Sequence, residues 1–282
     1  MSEPGETRPL AILCGGGGLP LEVARAAAAN GRPPFLVGVV GSSDPAIEAF
    51  AHAWVRLGEV GKMFAALAER AIADVAIVGA LTRPQFSELR LDWGAAKRAP
   101  ELAALFRGGD NRLLAGIAAI FEREGLRVVG AHEIAPQLLA PFGRIGARAA
   151  SPEAEADARL GAAALAALSP FDVGQSVVVA QARVVAVEAA EGTDAMLARV
   201  AELKALRRLP FRGPAGVLVK APKRGQDLRL DMPTVGPRTI EAVQRAQLQG
   251  VALAAGAVLI AERAETTRLA DQAGLFVMGF SP

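Results

Sequence analysis

Short apolar runs alternate with amphipathic stretches through the first half of the chain. The apolar runs predict buried strands, and the amphipathic stretches, each ending near a glycine, predict helices. The expected strands are 10–14, 35–40, a strand around Val55, 75–78 and 127–129, and the expected helices are 21–30, 61–71 and 111–124. Alternating strands and helices with nearly continuous apolar strands are typical of a parallel sheet covered on both faces. The first half is therefore predicted to be a Rossmann-like α/β domain.

The second half has a different order of elements. Two β-branched runs at 175–180 and 183–187 are separated by a short turn and predict an antiparallel hairpin. The remaining pattern predicts helices at 194–207 and 239–248 and strands at 216–220, 251–260 and 275–279. A stretch rich in Pro, Gly and Arg at 136–152 is typical of a domain junction. We therefore predict two α/β domains, a Rossmann-like domain at 1–142 and a mixed domain with a hairpin at 143–282.

Composition narrows the possible chemistry. The 282 residues are 52% hydrophobic, and the formal net charge is only +2, which argues against a nucleic-acid partner. One cysteine and two histidines exclude a disulfide framework and leave little for a transition-metal site. A bound metal is therefore expected to have oxygen ligands, as Mg²⁺, Mn²⁺ and Ca²⁺ do. The N-terminus lacks a secretory pattern and the run at 251–261 is short for a membrane span, so a soluble cytoplasmic protein is expected.

Charge is concentrated in the segment KAPKRGQDLRLDMPTVGPRT at 220–239. Its two carboxylates, Asp227 and Asp231, are surrounded by cationic side chains, namely Lys220, Lys223, Arg224, Arg229 and Arg238. If the segment is extended, the two aspartates and Arg229 point to one face and the leucines to the other. Carboxylates bind a hard cation and guanidinium groups bind phosphate oxygens. The segment therefore indicates a metal-assisted phosphate site.

Four consecutive glycines, Gly15, Gly16, Gly17 and Gly18, lie between the first predicted strand and the first predicted helix. Glycine permits close backbone approach, and a helix N-terminus attracts anions. The dinucleotide fingerprint fails, because its third glycine position holds Pro20, and the Walker lysine is absent. Two interpretations stay open: the loop binds a phosphate or sugar, or it is a tight structural turn.

A second acidic cluster follows the predicted hairpin. Glu188, Glu191, Gly192, Thr193 and Asp194 lie between a strand and a helix. Thr193 or Asp194 would serve as an ordinary helix N-cap. That interpretation leaves both glutamates unexplained, and the alternative is an active-site loop.

Several of these segments together resemble the LpxI-type UDP-2,3-diacylglucosamine hydrolases of lipid A biosynthesis. The matching segments keep the family's order and are GGGGLP (15–20), VGK (60–62), GDNRLL (109–114), DVGQSVVV (172–179), AVEAAEGTDAML (186–197) and KAPKRGQDLRLDMPTVGPRT (220–239). The resemblance implies hydrolysis of UDP-2,3-diacylglucosamine to UMP and 2,3-diacylglucosamine 1-phosphate (lipid X). It also implies Mg²⁺ or Mn²⁺, a position at the cytoplasmic side of the inner membrane, and two α/β domains that hold the lipid between them.

The resemblance also implies roles for individual residues. The family's essential aspartate maps to Asp227 in the QDLRLD segment. As a hypothesis, Asp227 binds the metal with Asp231 or Asp194 as second ligand, and Glu191 orients the attacking water. The substrate-binding set would comprise Gly15, Gly16, Gly17, Gly18, Gly192, Thr193, Lys220, Gln226, Arg229 and Thr234.

Other expectations concern partners and alternatives. The substrate implies transient contact with the inner-membrane surface, and a homodimer is expected. Two other functions stay open, a non-catalytic protein that binds a nucleotide sugar or lipid phosphate, and a metal-dependent glycosyl- or nucleotidyltransferase. Product formation with water alone as acceptor would separate hydrolysis from both.

Overall fold

The computed structural model describes residues 8–80, 110–211 and 213–281. The chain divides into two compact units. The N-terminal unit comprises Met1–Pro136 together with Arg229–Asp231, and the C-terminal unit comprises Gln137–Leu228 and Met232–Pro282. The charged segment at 220–239 is therefore shared, because its middle residues belong to the N-terminal unit.

Within the described residues, the N-terminal unit contains a five-stranded parallel sheet in the order β3-β2-β1-β4-β5. The strands are β1 Leu10–Cys14, β2 Phe35–Val39, β3 His52–Val55, β4 Asp74–Val78 and β5 Arg127–Val128. The helices are α1 Leu19–Ala29, α2 Val60–Glu69, α3 Asp110–Arg123 and α4 Ala131–Ile134. The predicted parallel sheet is confirmed. Its strand order reverses between β1 and β4, and ligands of open α/β sheets bind at such a point.

The C-terminal unit is mixed, as predicted. In the described part of the chain its main sheet has the order β6-β13-β11-β9-β7-β8, in which β9, β11 and β13 are parallel and the other strands antiparallel. The strands are β6 Gly143–Arg144, β7 Ser176–Ala180, β8 Arg183–Val187, β9 Val217–Lys220, β10 Thr234–Val235, β11 Gly250–Ala254, β12 Leu259–Ile260 and β13 Phe276–Phe280. The helices are α5 Pro152–Leu168, α6 Gly192–Ala205, α7 Pro237–Arg245 and α8 Arg263–Gln272.

The apolar run at 251–260 is two strands rather than the single strand that its composition predicts. Strand β11 ends at Ala254, the chain turns with the Ala257 N–H donating to the Ala254 carbonyl at 3.1 Å, and β12 pairs separately with β10. Both strands are buried, so the apolar pattern continues through the turn. Among the helices in the described ranges, none has the length and apolar character needed to cross a membrane.

The hairpin β7–β8 is confirmed, and a buried carboxylate holds its turn. The turn residues Gln181 and Ala182 have φ of 51° and 59°, a conformation that usually selects Asn or Gly. Asp157 on α5, only 6% exposed, accepts their backbone N–H groups at 2.9 and 2.7 Å. Hydrogen bonds to a carboxylate are stronger than those to neutral acceptors. They therefore offset the backbone strain at residues that sequence rules disfavour.

Helix α5 lies close against the centre of the sheet because small residues face it. The hydroxyl of Ser151 caps the helix by accepting the Ala154 N–H at 3.2 Å. A Cβ placed at Gly161 would lie 2.6 Å from Cγ2 of Val219. Glycine is therefore required at this contact. Val219 directly precedes Lys220 in β9, so α5 packs against the strand next to that lysine.

A buried ion cluster lies at the amino end of β4 in the N-terminal unit. Asp74 has no solvent exposure and pairs with Arg8 at 2.9 Å, Arg32 at 2.5 Å and Arg127 at 2.6 Å. Burial alone would raise the pKa of this carboxyl, but hydrogen bonds and charges from Arg127 and Arg32 outweigh it, and the pKa is lowered. The folded state therefore favours the ionised carboxylate.

The cluster predicts a stability loss with a defined pH dependence. Asp74→Asn should reduce the unfolding free energy by about 3 kcal/mol, the low end for breaking a buried ion pair, because the arginines keep some contact with water. A carboxyl with a lowered folded-state pKa stabilises above its unfolded pKa of about 4, and this contribution disappears as pH falls through the folded-state pKa. The difference between wild type and variant should therefore be full at pH 7 and shrink below about pH 4.

Urea unfolding followed by tryptophan fluorescence measures this loss, since Trp54 lies in the N-terminal unit. Glu69→Gln is the control, because that side chain is 75% exposed and pairs with Arg70 at 3.7 Å. Exposed pairs contribute about 0–1 kcal/mol. Equal stability losses in the two variants, or a difference independent of pH, would contradict the assignment.

Candidate active site

Two buried polar residues, one on β9 and one on β7, lie side by side at the carboxyl end of β9. Lys220 ends β9 and is 8% exposed, and Ser176 begins β7 with no exposure. The two residues are paired across the antiparallel β7–β9 ladder. Ligands of open α/β sheets bind beyond the carboxyl ends of parallel strands. The two side chains therefore lie at the edge where the fold predicts a site.

Four side chains form one hydrogen-bonded network at this edge. The Lys220 ammonium donates to the Thr193 hydroxyl at 2.8 Å, and that hydroxyl donates to Oε1 of Glu188 at 2.9 Å. The Ser176 and Thr193 hydroxyl oxygens are 3.1 Å apart. The only hydroxyl hydrogen of Thr193 goes to the carboxylate, so Ser176 is the donor of its contact with Thr193. We call these four residues the Lys220 network.

The glutamate of the network is held by the neighbouring backbone. Its second oxygen, Oε2, accepts the Gln175 N–H at 3.0 Å, and its own N–H donates to the Ser176 carbonyl at 3.0 Å. A Cβ added at Gly174 would lie 2.3 Å from Cγ of Glu188. Glycine at this position therefore leaves the space that the Glu188 side chain occupies.

The structure contradicts the N-cap interpretation of the acidic cluster, and the active-site loop stays a prediction. Helix α6 begins at Gly192, its N-cap position is Glu191, and no side chain caps it. Thr193 and Asp194 lie inside the first turn, so the N-cap interpretation is wrong for both. Thr193 instead contacts Lys220 and Glu188. Asp194 is exposed and pairs with Arg238 at 3.2 Å.

Glu191 is engaged differently from Glu188. Its carboxylate accepts a hydrogen bond from Arg199 at 2.7 Å and another from the Ala189 N–H at 3.2 Å. The side chain is 35% exposed. It therefore lies at the surface of the C-terminal unit in an ion pair, and its role in orienting water stays a prediction.

A tight turn follows Lys220. The backbone N–H of Lys223 donates to Oε1 of Gln226 at 2.8 Å, and the Gln226 N–H returns a bond to the Lys223 carbonyl at 3.2 Å. The Lys223 ammonium pairs with Asp172 at 2.5 Å. The predicted substrate-binding side chain of Gln226 thus also closes this turn. The turn fixes the backbone just before Asp227.

The segment at 226–231 is not a strand. Residues 228–230 form a turn, so the predicted alternation of Asp227, Arg229 and Asp231 along one strand face is wrong. Leu230 is 9% exposed in the core of the N-terminal unit, and Arg229 pairs with Glu122 at 3.4 Å in that unit. Burial of Leu230 in this core favours a turn at 228–230, whereas the predicted alternation requires a regular strand.

Thr234, also predicted to bind substrate, begins β10. Its hydroxyl donates to the Met232 carbonyl at 3.1 Å, and its backbone pairs with Leu259 of β12. The residue is partly buried. These contacts hold the backbone of the charged segment at the start of β10, before α7 begins.

The glycine loop of the N-terminal unit has structural reasons at its first two positions. Gly15 donates its N–H to the Val78 carbonyl at 2.7 Å and Gly16 donates to the Ala80 carbonyl at 2.6 Å. A Cβ at Gly15 would lie 2.6 Å from the Gly79 carbonyl carbon. The tight-turn interpretation therefore accounts for both residues.

The last two glycines of the loop differ from the first two. Gly17 has φ of +87°, a left-handed conformation, and a Cβ there would meet nothing within 4 Å. Gly18 is the N-cap position of α1, which is without a side-chain cap. A helix N-terminus following an open loop favours an anion. Phosphate or sugar binding therefore stays a prediction that these two positions support.

The single cysteine, Cys14, lies just before this loop. Burial raises the pKa of its thiol to about 12, and the thiol contacts the Ile12 carbonyl. A buried, protonated thiol is a poor nucleophile. Cys14 is therefore a core residue of β1.

A hard divalent cation such as Mg²⁺ needs oxygen ligands, which carboxylate side chains, substrate phosphates and water can supply. In the described ranges no group of three or more His, Cys, Asp or Glu side chains could hold a metal ion. Mg²⁺ commonly binds one or two carboxylates together with substrate phosphates and water. The predicted ligands Asp227, Asp231 and Asp194 would hold a cation in that arrangement, and this stays a prediction.

Sequence reasoning missed Ser176 and gave Glu188 no specific role. Ser176 opens a run of valines, where a buried serine looks like a minor interruption of a strand. Its signal was the position at a strand end within the DVGQSVVV segment. In the GDNRLL segment, Gly109 lies outside the described residues.

Both halves of the chain are similar to known protein domains. Family models described as the LpxI N-terminal domain and the LpxI C-terminal domain match residues 9–138 and 141–278. The chain is 39% identical over 275 residues, 98% of each sequence, to UDP-2,3-diacylglucosamine pyrophosphatase LpxI of Caulobacter vibrioides. A solved GalE-like L-threonine dehydrogenase from Cupriavidus necator is 13% identical with a TM-score of 0.28 over 96% of this chain and 90% of that one, which supports no argument. The matches across both halves and the identity to a curated relative place this chain in the LpxI family.

Proposed function

We propose that this protein hydrolyses the pyrophosphate bond of UDP-2,3-diacylglucosamine to UMP and 2,3-diacylglucosamine 1-phosphate. The printed name of the relative that is 39% identical across 98% of the chain supports the substrate. The observation that carries the proposal is the buried Lys220 ammonium at the carboxyl end of β9. A cation there suits a ligand with negative charge, and a diphosphate has that charge.

Hydrolysis adds water across the P–O–P bridge. The water oxygen forms a bond to one phosphorus, the bond from that phosphorus to the bridging oxygen breaks, and the other phosphate leaves with the bridging oxygen. Negative charge increases on the phosphate oxygens as the bond breaks, so preorganised donors lower the barrier. In this proposal Lys220 supplies such a donor and Asp227 is the essential carboxylate.

Mg²⁺, or Mn²⁺, is part of the proposal. Asp227 would hold the cation together with diphosphate oxygens and water, which fits the absence of a three-carboxylate group in the described part of the chain. When bound, the cation would supply charge neutralisation for the diphosphate. Asp231 and Asp194 are the further candidate ligands, and the Arg238 ion pair of Asp194 would have to open for it to serve.

The proposal includes a place of action. A substrate with two acyl chains resides in a membrane, so the enzyme would meet it at the cytoplasmic surface of the inner membrane. Exposed Phe142 and Phe171, at 77% and 75%, offer apolar contact on the C-terminal unit. A homodimer stays part of the proposal and is checked by light scattering.

Replacing the central carboxylate should abolish turnover. Asp227→Ala is expected to lower kcat/KM by at least about 100-fold, the effect of removing a group that acts in the transition state. The measurement is release of UMP from UDP-2,3-diacylglucosamine in detergent micelles with Mg²⁺. Glu241→Ala, at an exposed ion pair with Arg245, should stay within about twofold of wild type.

Wild-type turnover by a folded Asp227→Ala enzyme would overturn the assignment of this residue. Folding is verified by an unchanged circular dichroism spectrum. Transfer of UMP or the sugar phosphate to an acceptor other than water would instead identify a transferase.

Chelation should remove activity without unfolding the protein. With excess EDTA we expect loss of UMP release, and restoration when Mg²⁺ or Mn²⁺ is added above the chelator. The melting temperature should stay constant, because no three-ligand metal group is found among the described residues and a structural metal would contribute folding energy. Full turnover in EDTA would rule out a divalent cation, and a lowered melting temperature would indicate a structural metal.

A further inference from the structure

We infer that Glu188 is a positioning residue that fixes the Lys220 ammonium through the hydroxyl of Thr193. This inference depends on the proposed function, because it takes Lys220 as a contact of the substrate diphosphate. Glu188 has no assigned role in the hypotheses drawn from the sequence. Each hydrogen bond in the Lys220 network has a defined direction, and these directions support the inference.

The charges at the two ends of the network fix those directions. Lysine carries only donors and an ionised carboxylate carries only acceptors. Thr193 must therefore accept from Lys220 at 2.8 Å and donate to Glu188 at 2.9 Å. Its second lone pair accepts from Ser176 at 3.1 Å. The hydroxyl thus uses its donor and both lone pairs, so its orientation is determined by three partners.

The glutamate is equally constrained. Oε1 accepts from Thr193 and Oε2 accepts from the Gln175 backbone at 2.9 and 3.0 Å. Gly174 leaves the space for its side chain, since a Cβ there would lie 2.3 Å from Cγ and 2.7 Å from Cβ of Glu188. A merely solvated surface carboxylate needs none of these features. The surrounding backbone therefore builds a seat for this side chain.

This seat matters because lysine is flexible. A lysine side chain is a point charge on a flexible four-carbon stem. Burial at 8% exposure and a directed hydroxyl restrict the position of its Nζ. Preorganised charges stabilise a transition state without reorganising during the reaction. Glu188 also balances the buried ammonium charge across one hydroxyl, which lowers the cost of burying it.

The inference predicts different outcomes for closely matched substitutions. Thr193→Val keeps the branched shape but removes the hydroxyl, and Thr193→Ser keeps the hydroxyl. Glu188→Gln keeps the shape but has one acceptor oxygen in place of two, so either the Thr193 or the Gln175 bond is lost. We expect kcat to fall about 10- to 100-fold in Thr193→Val and Glu188→Gln, with KM changed less than about threefold.

The control variants define what a purely structural effect would look like. Thr193→Ser, which keeps the hydroxyl, should retain at least about fivefold more kcat than Thr193→Val. Glu202→Gln changes an exposed glutamate on the same helix, α6, and should leave kcat unchanged. Equal losses in Thr193→Ser and Thr193→Val, or wild-type kcat in Glu188→Gln, would overturn the inference.

A double-mutant cycle separates this inference from the proposed function. If Glu188 acts through Lys220, adding Glu188→Gln to Lys220→Met should lower kcat by less than about twofold further, because residues that act as a unit are not additive. Multiplied losses would show that Glu188 acts independently and would overturn the inference alone. Wild-type kcat in the single Lys220→Met variant would instead overturn the proposed role of Lys220.

Discussion

The Lys220 ammonium is buried in the C-terminal unit, and the neighbouring side chains and backbone accommodate its charge. A charge removed from water must be paired or hydrogen bonded, or it neutralises. The chain meets this requirement with a carboxylate placed one hydroxyl away, on the loop that follows β8. That placement in turn requires a glycine at 174 and a hairpin that returns Glu188 beside Ser176. The glycine at 174 and the return of the chain at Glu188 are therefore both needed to place this carboxylate near the buried charge.

Charges with a structural role lie at the opposite edge of each sheet. In the N-terminal unit, Asp74 and its arginines lie at the amino end of β4, while the glycine loop follows the carboxyl end of β1. In the C-terminal unit, Lys204 donates to the carbonyls of Ala215 and Gln247, which precede β9 and β11. Burial lowers the pKa of Lys204 to about 8. Within each unit, these stabilising charges therefore lie at one edge of the sheet, and the residues of the proposed chemistry lie at the other.

The sequence was sufficient for the elements whose signal is local. The strand at 10–14, the hairpin strand at 183–187 and the helix near 110–123 depend on apolar period and on glycine stops, and the structure has them within a few residues. The turn at 228–230 was missed because burial of Leu230 in the core of the N-terminal unit is a non-local event. A dipeptide pattern cannot report which core receives a side chain.

The sequence also predicts some residues of the candidate site and misses others. The sequence indicates Thr193 and Lys220 because each is a polar residue near the end of a predicted element. Each of these patterns is visible within one short segment. The contact between Thr193 and Lys220 joins residues 27 positions apart, and only the pairing of β7 with β9 brings it about. The sequence indicates Ser176 only by its position at a strand end, and one buried hydroxyl in a valine run is chemically meaningful only after its neighbours are known.

The charge balance of the Lys220 network bears on the proposed divalent cation. Lys220 and Glu188 carry opposite charges, so the network holds the Lys220 ammonium, the proposed donor to the diphosphate, without adding net charge. A diphosphate carries more negative charge than one such donor can neutralise. The nearby Lys223 is already paired with Asp172 at 2.5 Å, and Arg238 with Asp194 at 3.2 Å. In the proposed function, Asp227 would hold a divalent cation that supplies further positive charge, and Lys220 would donate a hydrogen bond to a diphosphate oxygen.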